Sequence, residues 1–199
     1  MLNVILDLDS TCIFAVDVQN LSKLDPRINQ HLRYFDHYEN DKFIYRIYER
    51  PMLQDFLDYL FANFNVAVWT AAEYNYGQDI VKHFIEGKNT GRKIKFFYSK
   101  RIFEQAALQY SNRSKPLEYI YSQHPGWNRC NTFIVDDNPH VKKSNPKNCL
   151  QIKAFNVLTD SYRPVSVNTV LQDNNLFGIY GMLEFHRGIN MTDMMCWNF

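Results

Sequence analysis

Residues 3–11 read NVILDLDST, a short apolar run that ends in two aspartates one residue apart, with a threonine two positions further on. A continuous apolar run of this length marks a strand buried on both faces, and such strands belong to the interior of a parallel sheet. One carboxylate at the end of such a strand is ordinary. Two on the same side call for a partner that neutralises them.

The rest of the chain repeats the pattern. VAVWT (66–70), IKFFYS (94–99), TFIVDDNP (132–139) and LQIKAF (150–155) read as further strands. Between them lie amphipathic stretches. In RPMLQDFLDYLFANF, Leu53, Phe56, Leu57, Leu60, Phe61 and Phe64 make one apolar stripe, and Pro51 suits the first turn of a helix. A second helix carries Ile80, Val81, Phe84 and Ile85. A brief one follows Lys115-Pro116 through Leu117 and Ile120, and a last one covers Asp173 to Phe185, where Leu176, Ile179, Tyr180 and Leu183 share a face. Strands alternating with helices give an α/β fold, a Rossmann-like parallel sheet flanked by helices on both faces. Residues 17–48 break the pattern. They are polar and aromatic, with turn signals at Asp25-Pro26 and Glu39-Asn40-Asp41, and Lys42 to Tyr48 partly alternates as a hairpin strand does. We read them as a small β-hairpin flap within a single domain spanning 1–199, whose residues from about 157 to 199 form a helical C-terminal segment.

At 199 residues the chain is long enough for one sizeable domain. A net charge of +1 gives no argument for a nucleic-acid partner, and none is expected. The one basic stretch, residues 88–101, reads as a solvated loop and strand edge. Cysteines at 12, 130, 149 and 196 show no CxxC spacing, which favours a reducing intracellular setting over a zinc site or a dense disulfide framework. Neither a signal peptide nor a membrane-length apolar run is visible, so the expectation is a soluble protein with no membrane partner. The oligomeric state is not legible.

In a parallel sheet, ligands bind beyond the carboxyl ends of the strands. Here those ends carry Asp7 and Asp9, Thr70, and Asp136 and Asp137. If the strands are neighbours, four carboxylates and a hydroxyl share one crevice. Like charges so close need either strongly raised pKa values or a bound cation. Mg²⁺, held by oxygens of Asp7, Asp137 and the backbone near Asp9 and completed by water and phosphate, is the economical answer. A carboxylate beside such an ion can attack phosphorus, and a carboxyl two residues on can shuttle the proton. A threonine hydroxyl and a lysine ammonium would steady the transferring phosphoryl group.

With DLDSTCI, VWTAAEYNYG and VDDNP in this order, and RPMLQDFLDYL ahead of the second motif, the sequence resembles the haloacid-dehalogenase (HAD) superfamily. More narrowly, it is similar to the FCP/SCP-type phosphatases that act on the carboxy-terminal domain (CTD) of RNA polymerase II, over residues 2 to about 156. The resemblance implies that Asp7 is the nucleophile and Asp9 the general acid and base, and that Thr70 binds phosphoryl oxygens. It implies Lys115 as the phosphate-binding lysine, with Lys100 the competitor. Asp137 takes the metal-ligand position with Asp136 supporting it, Thr11 braces the loop, and Tyr76 helps form a substrate groove. Ser10 and Cys12 depart from the family's usual glutamate and leucine at positions that carry no chemistry. The intervals between motifs hold a flap and core elements but no large cap, so the crevice is open to a phosphorylated side chain on a macromolecule. A phosphoserine or phosphothreonine in an extended, proline-containing peptide is the leading expectation. The competing ones are a HAD phosphatase for a small molecule or nucleic-acid end, and an inactive phosphopeptide-binding module.

Overall fold

The computed structural model describes residues 1–88 and 90–188. Asn89, Cys196 and the part of the expected C-terminal segment from 189 onward lie outside the described residues.

Five short strands form the parallel sheet. They are β1 (Asn3–Leu6), β5 (Asn65–Trp69), β6 (Phe97–Tyr98), β7 (Thr132–Asp136) and β8 (Cys149–Gln151), in the order β6-β5-β1-β7-β8. β1 is central, and Leu6 lies opposite both Val68 and Val135. Its side chains alternate between two cores, which explains why the run is continuously apolar. Val4 and Leu6 join Val66, Val68, Phe133 and Val135 on one face, under α2 (Leu53–Asn63), α3 (Tyr74–Ile80) and α8 (Asn175–Gly188). Ile5 joins Ala67, Trp69 and Ile134 on the other, under α4 (Lys100–Gln109), α5 (Leu117–Gln123) and α6 (Pro139–Ser144). The result is the three-layer α/β arrangement expected from the sequence.

The stripe on α2 buries Leu53, Phe56, Leu57 and Leu60. The helix begins later than expected. Met52 enters it with a φ of 63°, so Pro51 shapes the turn before the helix rather than its first turn. α3 runs on into a π-helical turn at Val81–Ile85. The strand expected over 94–99 shrinks to Phe97–Tyr98, and α4 follows directly, a helix the sequence did not suggest.

The insertion is more than a hairpin. β2 (Ile13–Asp17), β4 (Lys42–Glu49) and β3 (Tyr34–Glu39) form an antiparallel sheet in that order. A 3-10 helix (Val18–Lys23) and α1 (Ile28–His31) connect β2 to β3. Val16, Ile28 and Tyr48 pack against Phe155, Val157, Val167 and Val170, the last two from α7 (Val167–Leu171), in a third small core. The basic stretch is also less solvated than expected, because Arg92 is buried. Its guanidinium donates to Asp58 at 2.5 Å and to the side chain of Gln54 at 2.8 Å, pinning this segment to α2. Among the described residues, no helix is long and apolar enough to cross a membrane.

Candidate active site

The three central strands end together. Asp7 continues β1, and its amide still donates to the carbonyl of Val135 at 3.0 Å. The chain then doubles back. The amides of Thr11, Cys12 and Ile13 all donate to the carbonyl of Leu8, and Ser10 adopts a φ of 58° to make the turn. This tight loop holds the Asp7 and Asp9 side chains beside each other and leads straight into β2.

Lys115 binds the acids from the other side. It is only 3% exposed, and its Nζ donates to Asp7 Oδ1 at 2.5 Å and to Asp136 Oδ2 at 2.7 Å. Lys115 has a left-handed φ of 43°, a strained conformation for a residue with a side chain. Asn145 over-determines it by donating to the Lys115 carbonyl at 3.0 Å and accepting from the Leu117 amide at 3.0 Å. The competing lysine, Lys100, points elsewhere and meets Glu73 at the surface.

Thr11 bridges the remaining acids. Its hydroxyl accepts from the Asp137 amide at 3.1 Å and lies 3.2 Å from Asp137 Oδ1 and 3.5 Å from Asp7 Oδ2. One oxygen each from Asp7, Asp136 and Asp137 lies within 4.8 Å of the others, and this is the one such acidic, histidine or cysteine cluster found among the described residues. Thr70 closes the end of β5. Its Oγ1 accepts from the Ala72 amide at 3.1 Å, which leaves its own hydroxyl hydrogen free to donate. α3 packs against Thr70 only because Gly77 lacks a side chain: a Cβ there would lie 2.7 Å from Phe97 and 3.2 Å from the Thr70 methyl.

Tyr76 is buried rather than lining an open groove, and its hydroxyl donates to Asp9 Oδ1 at 2.6 Å. The edges of His37 and Tyr45, both from the flap, press on its ring at 5.5 and 5.7 Å, and His37 is itself held by Asp79 at 2.8 Å.

Four carboxylates thus face one buried ammonium. Burial drives Asp7 well above the ordinary carboxylate range, opposed by Lys115 and reinforced by Asp136. Burial also raises Asp9, against the hydrogen bond from Tyr76, and raises Asp137, with Asp136 adding to it. For Lys115, burial alone would lower the pKa, but Asp7 and Asp136 together outweigh it and hold the ammonium above its usual range. The site therefore carries more carboxylate than its own cation can balance. Its donors are all hard oxygens. Both oxygens of Asp136 are already engaged, by Lys115 and by the Asn138 amide, whereas among the described residues Asp137 keeps one without a partner and Asp7 has only the long contact to Thr11 on its second. Such a donor set fits a hard divalent cation.

Two side chains that hold this loop were not recognised as doing so from the sequence. Arg50 is fully buried behind the turn. Its guanidinium donates to the carbonyls of Thr11 at 2.9 Å and Lys153 at 2.7 Å and clasps Asp173 with contacts at 2.9, 3.1 and 3.2 Å. Asn145 is the other. The partners that tie each to the site lie far away in the chain, and only the arginine-proline signature ahead of α2 hinted at Arg50.

Comparison with known proteins agrees with this geometry. Residues 2–186 match the family model described as NLI interacting factor-like phosphatase. A CTD phosphatase-like protein, 355R, of Invertebrate iridescent virus 6 is 38% identical over 164 residues, covering 78% of this chain and 86% of the relative. Its counterpart in Invertebrate iridescent virus 3 is 33% identical over 156 residues, 76% and 83% of the two chains. Among solved structures, Fcp1, described as an essential RNA polymerase II CTD phosphatase, superimposes with a TM-score of 0.60 at 21% identity, over 94% of this chain and 51% of that one. The fission yeast Fcp1 R271A variant bound to beryllium fluoride gives the same score at 19% identity, over 96% and 53%. At these identities the likeness to the solved structures is one of fold, and this chain spans about half their length. The chain belongs to the NLI interacting factor-like phosphatase family, the FCP-homology branch of the HAD superfamily.

Proposed function

We propose that this chain is a Mg²⁺-dependent phosphatase that removes phosphate from serine or threonine side chains of a protein, the CTD of RNA polymerase II being one such substrate, through an aspartyl-phosphate on Asp7. One observation carries the reading: Asp7, Asp136 and Asp137 converge within 4.8 Å at the ends of two neighbouring strands, with the buried Lys115 ammonium bonded to two of them. In this reading Asp7 and Asp137 hold the ion through carboxylate oxygens, Asp9 through its backbone carbonyl, and Asp136 supports them. The ion supplies charge neutralisation for the carboxylates and the phosphoryl oxygens.

The chain's own groups account for the rest. An Asp7 carboxylate oxygen bonds to phosphorus as the phosphorus–serine oxygen bond breaks, and Asp9, protonated, gives its proton to the leaving oxygen. Burial favours that protonated form of Asp9. Water then attacks phosphorus while Asp9 takes one of its protons. The bond to Asp7 breaks, and inorganic phosphate leaves. Lys115 and the Thr70 hydroxyl donate to the phosphoryl oxygens as negative charge spreads over them.

A protein substrate is favoured by what flanks the site. Beside the flap lies an open cleft of about 490 Å³ lined in part by Phe14, Tyr45 and Tyr162, rings on which an extended, proline-containing peptide can lie. The test is phosphate release from an aryl phosphate and from phosphoserine peptides, with and without Mg²⁺, by wild type, Asp7→Asn and Asp9→Asn. Hydrolysis that needs the metal and Asp7 supports the reading. Equal rates for wild type and Asp7→Asn refute the nucleophile, and a strong preference for nucleotides over peptides refutes the substrate class.

A further inference from the structure

On the α6 side of the acid cluster lies a second open cleft, of about 470 Å³. Arg113, Ser114, Asn138, His140 and Lys143 line it, and no carboxylate does. It meets the candidate active site at two points, since Ser114 directly precedes Lys115 and Asn138 directly follows Asp137. The backbone that carries these two groups therefore continues directly into the wall of the cleft.

Its walls are built rather than incidental. Ser111 and Asn112 both adopt left-handed φ values, 56° and 59°, and the Ser114 amide is fixed by the Ser144 hydroxyl at 3.0 Å. The Arg113 guanidinium donates to the Ser144 carbonyl and to Glu118, which uses two of its five N–H donors. The two lysines of α6 differ. Lys142 is tied back to the carbonyls of Pro146 and Cys149, at 2.8 Å each. Lys143 is exposed, and among the described residues no carboxylate lies within ion-pair distance of it. A free ammonium, a guanidinium with donors to spare, an imidazole and the neighbouring side-chain amide and hydroxyls make a surface suited to an anion.

We propose that this cleft is a second anion subsite, which holds a phosphate or carboxylate carried by the same peptide as the scissile phosphomonoester. The proposal rests on the phosphatase reading above and narrows its substrate class to peptides with a second negative side chain. An extended peptide advances about 3.3 Å per residue, so a side chain close in sequence to the reacting one is the one that would enter the cleft. A nucleic acid fits less well. A phosphate backbone is met by a stripe of cations, and here a single unpaired lysine and one half-buried arginine face a short cleft on a chain of net charge +1.

The experiment compares kcat/KM for five kinds of substrate: an aryl phosphate, a singly phosphorylated peptide, the same peptide with a second phosphoserine at each neighbouring position in turn, its counterpart with a glutamate there, and a 5′-phosphorylated oligonucleotide. Wild type, Lys143→Glu and Lys143→Arg are assayed at low and moderate salt. The second anion is expected to raise kcat/KM about two- to fivefold, the scale of one exposed charge contact. Lys143→Glu should abolish the gain, Lys143→Arg should keep it, added salt should shrink it, and aryl phosphate turnover should be the same in all three proteins. The phosphate and glutamate arms show which anion the cleft takes. Absence of the gain in wild type, or a gain untouched by Lys143→Glu, overturns the subsite while the phosphatase reading stands. A loss confined to the oligonucleotide overturns it in favour of a nucleic-acid ligand. Failure of wild type on the aryl phosphate overturns the phosphatase reading itself, and the subsite with it.

Discussion

Replacing Arg50 by Met should be among the most destabilising single changes available, although Arg50 touches none of the acids directly. The arginine is fully buried, and its partner Asp173 keeps only 11% of its side chain exposed. Methionine fills much the same volume but leaves that carboxylate uncompensated, together with the carbonyls of Thr11 and Lys153. Breaking one side of a buried pair costs about 3–5 kcal/mol. For a domain of this size, each kcal/mol corresponds to about 2–4 °C in Tm, so a fall of about 6–20 °C is expected. Denaturant unfolding of Arg50→Met, Asp173→Leu and the double variant measures it. The double variant should be less damaged than the two single losses added together, by about 1–3 kcal/mol, because it no longer buries a lone charge. Arg50→Lys keeps the charge but not the fork and should recover only part of the loss. Because the same guanidinium braces the carbonyl of Thr11, kcat of the surviving folded protein should fall as well. A loss below about 1 kcal/mol for Arg50→Met, or strict additivity in the cycle, would refute the idea that this pair clamps the loop.

Four shorter predictions accompany it. Asp7→Asn should abolish phosphate release while leaving the circular dichroism spectrum unchanged. Tyr76→Phe removes one hydrogen bond to Asp9 and should lower kcat about tenfold, the worth of a charge-assisted bond, with poor leaving groups suffering more than good ones. Removing divalent ions with a chelator should stop turnover, and restoring Mg²⁺ at about 100 times its Kd should raise the unfolding free energy by about 2.7 kcal/mol, readable as a higher Tm. The pH dependence follows from the raised carboxyls. Asp7, Asp9 and Asp137 bind protons more tightly folded than unfolded, so their contribution to stability is complete below the ordinary value of 3.8 and is lost as pH rises through the higher folded values. Metal-free protein should therefore lose stability as pH climbs out of the acid range, and Mg²⁺ should cancel that slope; a metal-free profile that instead rises there would contradict the crowding of charge.

Much of this was visible in the sequence because burial leaves a strong imprint. β1, β5 and β7 are covered on both faces, so their runs stay apolar, and the polar residues that end them, Asp7, Thr70 and Asp136, mark the carboxyl edge of the sheet. The α2 stripe was equally plain. α4 was hidden because Ala106 is its one fully buried residue: Ile102 and Phe103 are only partly covered and Leu108 is exposed, so its apolar positions make a weak stripe. β2 was hidden because it begins as the loop after Asp9 ends, where an apolar residue reads as the tail of the motif. Arg92 looked solvated because it lies in a basic run, and only the fold brings Asp58 and Gln54 to it. Arg50 with Asp173 and Lys115 with Asn145 are long-range pairings between polar residues, which no local period encodes. Tyr76 could be associated with the site, but its bond to Asp9 depends on where α3 settles against β6.

The attachment of the flap has a mechanical consequence. No slack linker joins it to the rest of the molecule: β2 grows out of the turn that aims Asp9, and β4 runs directly into Arg50, whose amide donates to the Cys12 carbonyl at 3.0 Å. The flap sheet is therefore a lever with its fulcrum at the turn that carries Asp7 and Asp9, not a door on a hinge. A ligand that pulls on the outer end of the hairpin loads Asp9 by two routes, across the β4–β2 pairing into the turn and through His37 and Tyr45 onto Tyr76.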